Sequence, residues 1–313
     1  MTKVFIDGKA GTTGLKIYDR LSERADVELL TLPEELRKDT QARKEMLNKV
    51  DIAFLCLPDA AAIEAVSLID NPNTVVIDTS TAHRTNPQWA YGFAELSEEH
   101  YNKIKSSKRI AVPGCHASGF IALVYPLVKE GVISTDELLS CFSLTGYSGG
   151  GKQMIADYEN EDRSYELSSP RQYGVLQSHK HIPEMTKVTG ISNAPVFSPI
   201  VADYFSGMQV TVPLHKAQLC DGFTIDSIRD VYRKMYCDNV VTYVDKMDET
   251  GFISSNAFTG FDNMQITVEG NEDRILLIAR YDNLGKGASG AAVECMNIAL
   301  GIDKTTSLSI KEV

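Results

Sequence analysis

The chain has 313 residues, of which 43% are hydrophobic and 23% are charged, and its formal net charge is -11 at pH 7. This composition is typical of a soluble globular protein, and the length favours two domains over one. The acidic balance argues against a nucleic-acid-binding protein, which would carry a basic face, but a local cluster of cations can still bind an anionic substrate.

Strand and helix patterns alternate through the first part of the chain. Helical spacing over TTGLKIYDRLSE, TQARKEMLNKV and AAAIEAVSLI separates the strand-like runs. Apolar strands joined by helices predict a parallel sheet with crossover connections, and hence a doubly wound α/β domain over residues 1–112. The runs predicted as strands are KVFID (3–7), VELLTL (27–32), DIAFLCLP (51–58) and TVVIDTS (74–80).

A glycine-rich turn, DGKAGTTG, joins the first predicted strand to the first helix. It carries Gly8, Gly11 and Gly14. Glycines let the backbone turn sharply and approach a pyrophosphate, which the N–H groups at the start of the helix then hold. The spacing G-x-x-G-x-x-G is not the commonest fingerprint, and a tight turn without a ligand is the alternative. The position at the first strand–helix junction favours nucleotide binding.

The end of the second predicted strand bears on the choice between NAD and NADP. NAD-binding folds usually place an acidic residue there to hold the ribose 2′-hydroxyl. Here no acid stands at the tip, and Arg37 and Lys38 follow shortly after, where they can hold a 2′-phosphate. Glu34 and Glu35 lie close enough to oppose these cations. The sequence therefore favours NADP.

The stretch AVPGCHASGF places Cys115 between a short buried strand, RIAV, and an amphipathic helical segment, IALVYPLVKEGV. The start of a helix offers unpaired N–H groups and the positive end of the helix dipole, and both favour a thiolate over a thiol. A buried, inert side chain is the commoner fate of a lone cysteine. A reactive thiol therefore requires a base elsewhere in the chain.

The second part of the chain changes to polar stretches and to strands joined by short turns. This pattern predicts a mainly antiparallel sheet and an α+β domain over residues 113–285. A glycine-rich turn, KGASG, then opens a strongly apolar helix. Strands are predicted at VTVPLH (210–215), at VVTYVD (240–245), and on both sides of the Gly270-Asn271 turn within 265–283.

The segment SHKHIPEM carries His179, His181 and Glu184 close together. A thiolate nucleophile gains from a nearby imidazole that stabilises it and transfers protons. A carboxylate that fixes the imidazole tautomer is the usual third member of such a group. Surface histidines in a polar loop, or half of a metal site, are the alternatives. We expect the other histidines to be structural, locally packed or solvated: His83, His100, His116 and His215.

Two further stretches have the composition of anion-binding sites. GYSGGGK (146–152) supplies successive backbone N–H groups that can cradle an anion, although a flexible loop is the default interpretation. DTSTAHR (78–84) ends a predicted parallel strand with hydroxyl groups and Arg84, at the edge of the sheet where ligands usually bind.

The six cysteines are widely scattered, with no CxxC pair and no metal-ligand spacing. This pattern predicts reduced thiols, a cytoplasmic protein and no metal site. The N-terminus lacks the pattern of a signal peptide, and no apolar run approaches ~18 residues. We therefore expect a protein that is neither exported nor embedded in a membrane.

Taken together these stretches resemble the N-acetyl-gamma-glutamyl-phosphate reductases, specifically their shorter variant, over nearly the whole chain. The wider superfamily includes aspartate-semialdehyde dehydrogenase and, more distantly, glyceraldehyde-3-phosphate dehydrogenase. The resemblance implies a Rossmann domain, a catalytic α+β domain that also mediates association, and a C-terminal helix (286–302) that returns to the first domain. It rests on DGKAGTTGLKI, FLCLPDAAA, DTSTAHR, VPGCHASGF, GYSGGGK, HKHIPEM and KGASGAAVECMNIALG, in that order.

The activity implied by the resemblance is the NADPH-dependent reduction of N-acetyl-glutamyl 5-phosphate in arginine biosynthesis. In that mechanism Cys115 attacks the acyl phosphate, phosphate leaves, and hydride reduces the resulting thioester. We expect His181, oriented by Glu184, to act as the acid and base. The substrate would contact Arg84, Ser148, Gly149, His179 and Lys180. NADP(H) would contact Gly8, Ala10, Gly11, Thr12, Thr13, Gly14, Arg37, Lys38, Pro58, Ser80, Lys286, Gly287 and Ala288.

Several alternatives stay open at this point. A reductase for another acyl phosphate, of the aspartyl or aminoadipyl type, would use the same core, and a non-catalytic protein that senses NADP(H) would share the Rossmann half. The longer variant of the family reads Ser-Ala-Asp-Phe-Arg where this chain has STAHR, so residue roles transferred to the stretch around position 80 are less secure. Enzymes of this superfamily commonly associate, which predicts a homo-oligomer, either a dimer or a tetramer.

Overall fold

The computed structural model describes residues 1–247 and 250–312, which form two compact units. The first unit comprises residues 1–113 and 288–308, and the second comprises residues 114–287 with 309–312. None of the helices in these described ranges is long and apolar enough to cross a membrane.

The first unit is built on a parallel sheet with the strand order β2-β1-β3-β4-β6-β5. The two central strands, β3 and β4, are buried along their whole length, as expected for a sheet covered on both faces. The doubly wound α/β prediction is therefore confirmed. The strands are β1 Thr2–Asp7, β2 Val27–Leu30, β3 Ile52–Leu55, β4 Val75–Asp78, β5 Ala90–Tyr91 and β6 Arg109–Ala111.

The helices of the first unit cover the two faces of this sheet. On one face Ile17 of α1 and Met296 of α9 are buried with Val4 and Ile77 of the sheet in a single apolar cluster. On the other face Leu47 of α2 packs in a second cluster. The last helix of the chain is thus part of the core of the first unit. The helices are α1 Thr12–Ser22, α2 Thr40–Lys49, α3 Asp59–Ser67, α4 Glu98–Ser106 and α9 Gly290–Leu300.

The second unit contains a mixed sheet with the order β11-β12-β13-β10-β7-β9-β8. Most of its pairings are antiparallel, as predicted, but β7 pairs with β9 and β11 with β12 in parallel. The predicted hairpin is present as β12 and β13, joined through Asn271. The strands are β7 Ser140–Gly146, β8 Arg171–Gln172, β9 Val196–Ala202, β10 Met208–His215, β11 Val241–Tyr243, β12 Met264–Gly270 and β13 Arg274–Tyr281.

Strands β7, β8 and β9 were not among the sequence-predicted strands. In β7 the usual pattern of burial is inverted, because Ser143 is fully buried while Phe142 is 45% exposed. A strand that turns a hydroxyl inward and an aromatic ring outward does not show the alternation that identifies a half-buried strand. The helices that accompany this sheet are α5 Cys115–Lys129, α6 Gly151–Glu159, α7 Ile182–Thr189 and α8 Ile225–Met235.

Helix α5 lies close against the second sheet. A Cβ on Gly119 would lie 2.5 Å from a methyl group of Val210 and 2.7 Å from the hydroxyl of Tyr281, so only glycine fits there. That hydroxyl accepts a hydrogen bond from the N–H of Gly119 at 3.0 Å and donates one to the carbonyl of Cys115 at 2.5 Å. The first turn of the helix is therefore fixed to strand β13 through one tyrosine.

Candidate active site

A cleft of about 630 Å³ opens at the carboxyl ends of β1, β2 and β3 in the first unit. Crevices at this edge of a parallel sheet are the usual ligand sites of doubly wound folds. The sequence analysis assigned thirteen residues to the cofactor. Those that line this cleft are Gly8, Ala10, Gly11, Arg37, Lys38 and Pro58.

The glycine-rich turn forms one wall of this cleft, and two of its glycines are required by close backbone contacts. Gly8 has a φ of +87°, and a Cβ there would lie 2.2 Å from the carbonyl oxygen of Cys56. A Cβ on Gly14 would lie 2.6 Å from the carbonyl oxygen of Gly8. Gly11 meets only an ordinary contact at 3.4 Å. The turn leads into α1, which starts with Thr12 and Thr13, and the first N–H groups of a helix have no partner within the helix.

The cations proposed for a 2′-phosphate lie at the far end of the same cleft. Arg37 forms an ion pair with Glu34, with 2.5 Å between Nη2 and Oε1. Both side chains are substantially exposed, at 46% and 75%. Glu34, which the sequence places near Arg37 and Lys38, therefore pairs with Arg37.

A buried ion pair beneath the cleft was missed by the sequence analysis. Asp7, the last residue of β1, accepts hydrogen bonds from Nε and Nη2 of Arg43 on α2, at 3.0 and 2.9 Å. Burial raises the pKa of Asp7, and the Arg43 guanidinium opposes that shift. Arg43 also reaches Glu64 at 3.1 Å. The pair fixes α2 to the end of β1, and no local motif reveals it because its members are 36 residues apart.

The segment after β4 is held by a buried carboxylate. Asp78 accepts hydrogen bonds from the N–H and the hydroxyl of Ser80, at 2.9 and 2.7 Å, and lies 2.6 Å from Nδ1 of His83. The His83 ring stacks on Trp89 at 4.0 Å. Arg84 donates Nε to the carbonyl of Val112 and Nη2 to that of Thr79, both at 2.9 Å. Two donors of Arg84 therefore join the ends of β4 and β6, and its role towards substrate stays a prediction.

In the second unit Cys115 is the first residue of α5, and its side chain is half-buried. The preceding residue, Gly114, is extended, so the thiol stands at the positive end of the helix dipole. Gly287 packs directly against it, since a Cβ on this glycine would lie 3.0 Å from Cβ of Cys115. Lys286, beside that glycine, is 2% exposed.

The carboxylate of Glu184 reaches the turn that carries Cys115. Its Oε1 accepts a hydrogen bond from the N–H of Gly114 at 2.8 Å, and the side chain is 1% exposed. The sequence analysis assigned Glu184 to the orientation of His181. The structure adds that Glu184 fixes the backbone immediately before the thiol.

Three imidazoles form a cluster in the same unit. The ring centroids of His179 and His181 are 4.7 Å apart, and each lies 5.6 Å from that of His116. The backbone N–H of His181 donates to Nδ1 of His179 at 3.2 Å. His116, which the sequence analysis treated as locally packed, is thus a member of the cluster. Among the described residues no three His, Cys, Asp or Glu side chains are grouped so that they could hold a metal ion.

The turn 146–152 is tied to the end of β13. Nδ2 of Asn283 donates to the hydroxyl of Ser148 at 3.0 Å, and its Oδ1 accepts from the N–H of Gly207 at 2.9 Å. The N–H groups of residues 146, 147 and 148 donate to the carbonyls of residues 207, 204 and 205. The N–H of Gly151 donates to the carbonyl of Ser148. The backbone N–H groups of residues 146, 147, 148 and 151 are therefore already used within the protein. Lys180, also assigned to substrate, is exposed.

Two family models match the chain. Residues 20–104 match the NAD binding domain of semialdehyde dehydrogenases, and residues 115–283 match the semialdehyde dehydrogenase dimerisation domain. The chain is also similar to N-acetyl-gamma-glutamyl-phosphate reductases. It is 46% identical to that of Rhizobium etli and 42% identical to that of Rhizobium meliloti, in each case over 95% of this chain and 98% of the relative.

Solved structures share the fold at much lower sequence identity. The aspartate semialdehyde dehydrogenase II of Vibrio cholerae, complexed with ASA, has a TM-score of 0.71 at 16% identity, covering 96% of this chain and 98% of that one. The aspartate semialdehyde dehydrogenase of Candida albicans, with NADP, has a TM-score of 0.66 at 14% identity, covering 95% and 98%. At such identities the likeness establishes the fold alone.

Proposed function

The chain belongs to the family of N-acetyl-gamma-glutamyl-phosphate reductases, and from that premise we propose that it reduces N-acetyl-L-glutamyl 5-phosphate to N-acetyl-L-glutamate 5-semialdehyde and phosphate with NADPH. The observation that carries this proposal is the placement of Cys115, which is half-buried at the start of α5. The residue before it, Gly114, donates its backbone N–H to Glu184 of the histidine segment. This reaction belongs to arginine biosynthesis, and we place the protein in the cytoplasm.

Cys115 acts as the nucleophile in this proposal. Its thiolate, favoured by the helix dipole, attacks the acyl carbon of the substrate. A bond forms between the sulfur and that carbon, and the bond from the carbon to the phosphate oxygen breaks, so inorganic phosphate leaves and a thioester remains on the enzyme. The nicotinamide cofactor, when bound, supplies the hydride that reduces this thioester. The thiolate is restored as the semialdehyde departs.

In this proposal His181 acts as the general acid and base, and Glu184 orients its imidazole. His181 is 4% exposed, so water competes little for the imidazole. Burial and the neighbouring His179 lower the pKa of His116 to about 3, which keeps that member of the cluster neutral. The acid and base is therefore His181 or His179 rather than His116, and we assign the role to His181 because Glu184 follows it by three residues.

The protein binds a nicotinamide dinucleotide, as its match to an NAD binding domain indicates. We assign NADP(H), because Arg37 and Lys38 line the cleft and no acid stands at the tip of β2. The residues of the glycine turn hold the pyrophosphate, and Pro58 and Ser80 border the same ligand. The KGASG turn, with Lys286, Gly287 and Ala288, borders the nicotinamide.

The substrate carries a carboxylate and a phosphate, and both require donors. Ser148 and Gly149 supply a hydroxyl and a backbone N–H, and His179 and Lys180 supply ring and ammonium donors. Arg84 completes this set. The first unit is then the dinucleotide-binding domain, and the second is the catalytic domain, which also forms the contact of a dimer or tetramer. Its match to a dimerisation domain supports that assignment.

The test is an assay of the purified protein in the reverse direction. N-acetyl-glutamate semialdehyde, phosphate and NADP⁺ should give NADPH, whereas aspartate semialdehyde should give at most ~1% of that rate if the chain acts on the substrate in its relatives' name. Equal rates would favour a related acyl-phosphate reductase. No turnover, together with a Cys115 that resists alkylation at neutral pH, would favour an NADP-sensing protein.

A further inference from the structure

Three side chains near Cys115 form a hydrogen-bonded chain that the mechanism above does not use. Nδ1 of His116 lies 2.7 Å from the hydroxyl of Ser143, and Nε2 lies 2.6 Å from the hydroxyl of Tyr173. His116 is 2% exposed and Ser143 is fully buried. Neither hydroxyl makes another hydrogen bond with residues 1–247 or 250–312. The imidazole therefore links one enclosed hydroxyl to one at the edge of the cluster.

The burial of Ser143 determines where the imidazole carries its proton. A neutral imidazole has one N–H and one acceptor nitrogen. If Nδ1 carried the proton, it would donate to Ser143, and the hydroxyl proton of that serine would be buried without an acceptor. The favoured arrangement is therefore the opposite one, in which Ser143 donates to Nδ1 and the N–H at Nε2 donates to the oxygen of Tyr173.

In this arrangement the hydroxyl proton of Tyr173 is directed away from His116. Tyr173 is only partly buried, so its proton can reach an acceptor in the site. Burial and the neighbouring Cys115 thiolate hold the pKa of Tyr173 well above its usual range. The hydroxyl thus stays protonated, and the His116 ring that holds it belongs to the residue directly after Cys115.

We propose that Ser143 and His116 are positioning residues that turn the hydroxyl proton of Tyr173 toward the acyl oxygen of the group attacked by Cys115. The proposal rests on the proposed function. That oxygen gains negative charge as the sulfur–carbon bond forms and loses it when phosphate leaves, and the hydrogen bond transfers no proton. A donor aimed at charge that develops during the reaction raises kcat rather than substrate affinity.

Single and double variants test this chain. Tyr173→Phe should lower kcat by ~10²-fold, and Ser143→Ala by ~10-fold, with KM little changed. The double variant should be no slower than Tyr173→Phe alone, because Ser143 acts only through the tyrosine. Thr267→Val is the matched control, since it removes another buried strand hydroxyl that contacts none of the imidazoles. Losses that multiply in the double variant, or an equal loss in the control, would overturn the proposal.

The tautomer itself is measurable without substrate. Nitrogen NMR of histidine-labelled protein should show His116 protonated at Nε2 and unprotonated at Nδ1, with the signals assigned by their absence in His116→Asn. In Ser143→Ala this preference should be lost. The opposite tautomer in the native protein would refute the proposal. Because this readout requires no turnover, it separates failure of the positioning chain from failure of the proposed activity.

Discussion

The cleft of the first unit is shaped by backbone atoms, whereas the histidine cluster of the second unit is shaped by side chains. The cleft owes its shape to backbone, since Gly8 and Gly14 sit where any Cβ would meet a carbonyl oxygen. The cluster owes its shape to side chains, three imidazoles and a tyrosine brought together from separate segments. A backbone site therefore tolerates little change at its glycines, whereas a side-chain site depends on the identity of each group.

The two regions also differ in the solvent exposure of their ionisable side chains. Arg37 and Glu34 in the cleft are exposed, so solvent and salt weaken their interaction. His116 in the cluster is enclosed and remains neutral, with a pKa of about 3. Substitutions of the charged side chains in the cleft should thus change cofactor affinity in modest, salt-dependent steps, while substitutions of His181 or Tyr173 in the cluster should change the rate of the chemical step.

The largest effect should come from the thiol. Cys115→Ser should lower kcat by at least ~10³-fold, because a serine hydroxyl at this position lacks a thiolate's nucleophilicity. NADPH affinity and the melting temperature should stay close to those of the native protein, since the cleft lies in the first unit. Steady-state assays, fluorescence titration and thermal melts check these three quantities. A serine variant with near-native rates would rule out the covalent mechanism.

The two flanking histidines should separate by role. His181→Asn should lower kcat by ~10²–10⁴-fold with KM little altered, as is typical of losing a general acid and base. His179→Asn should act more on KM, because we assign it to the substrate. Steady-state kinetics of both single variants decide between the roles. If His179→Asn causes the greater loss of kcat, the assignment is reversed.

Two glycines of the same turn provide a matched pair for the cleft. Gly8→Ala forces a side chain into a positive φ and against the carbonyl of Cys56, so NADPH affinity should fall by at least ~10-fold and stability by ~1–3 kcal/mol. Gly11→Ala meets only a 3.4 Å contact and should preserve stability. Thermal melts and cofactor titrations measure both. Equal losses in the two variants would contradict the backbone account of this cleft.

The smallest effect should come from the ion pair at the far end of the cleft. Glu34→Gln removes a carboxylate that competes for Arg37, so NADPH should bind ~2–5-fold more tightly while NADH is unaffected. Glu35→Gln removes the same charge one residue away and is the control. Fluorescence titrations at low and high salt measure the difference, which should shrink as salt rises. An equal gain for NADH would show that Arg37 does not face a 2′-phosphate.

The sequence was sufficient to predict the doubly wound unit, because buried parallel strands and helices leave strong local patterns. The glycine turn was recognisable from its position between the first strand and the first helix, although the contact of Gly8 with the carbonyl of Cys56 is visible only in the fold. The strands of the second sheet were harder to predict. Strand β7 places Ser143 inside and Phe142 outside, which hides its alternation, and its neighbour β9 pairs with it in parallel.

Side-chain partnerships across long separations could not be predicted from local patterns. Arg43 meets Asp7 across 36 residues, and Tyr173 meets His116 across 57. Neither member of these pairs stands in a motif that requires the other. His116 in particular follows the predicted nucleophile directly, yet only the fold shows that its ring enters the cluster of His179 and His181.

The central claim is that Cys115 carries a thioester, and a single-turnover experiment tests it most directly. Semialdehyde and NADP⁺ mixed with the enzyme without phosphate should give a burst of one NADPH per chain and then stop. Peptide mass analysis should find the N-acetylglutamyl group on Cys115, and added phosphate should release it and restart turnover. Continuous NADPH formation without phosphate, or an acyl group on any other residue, would contradict the account.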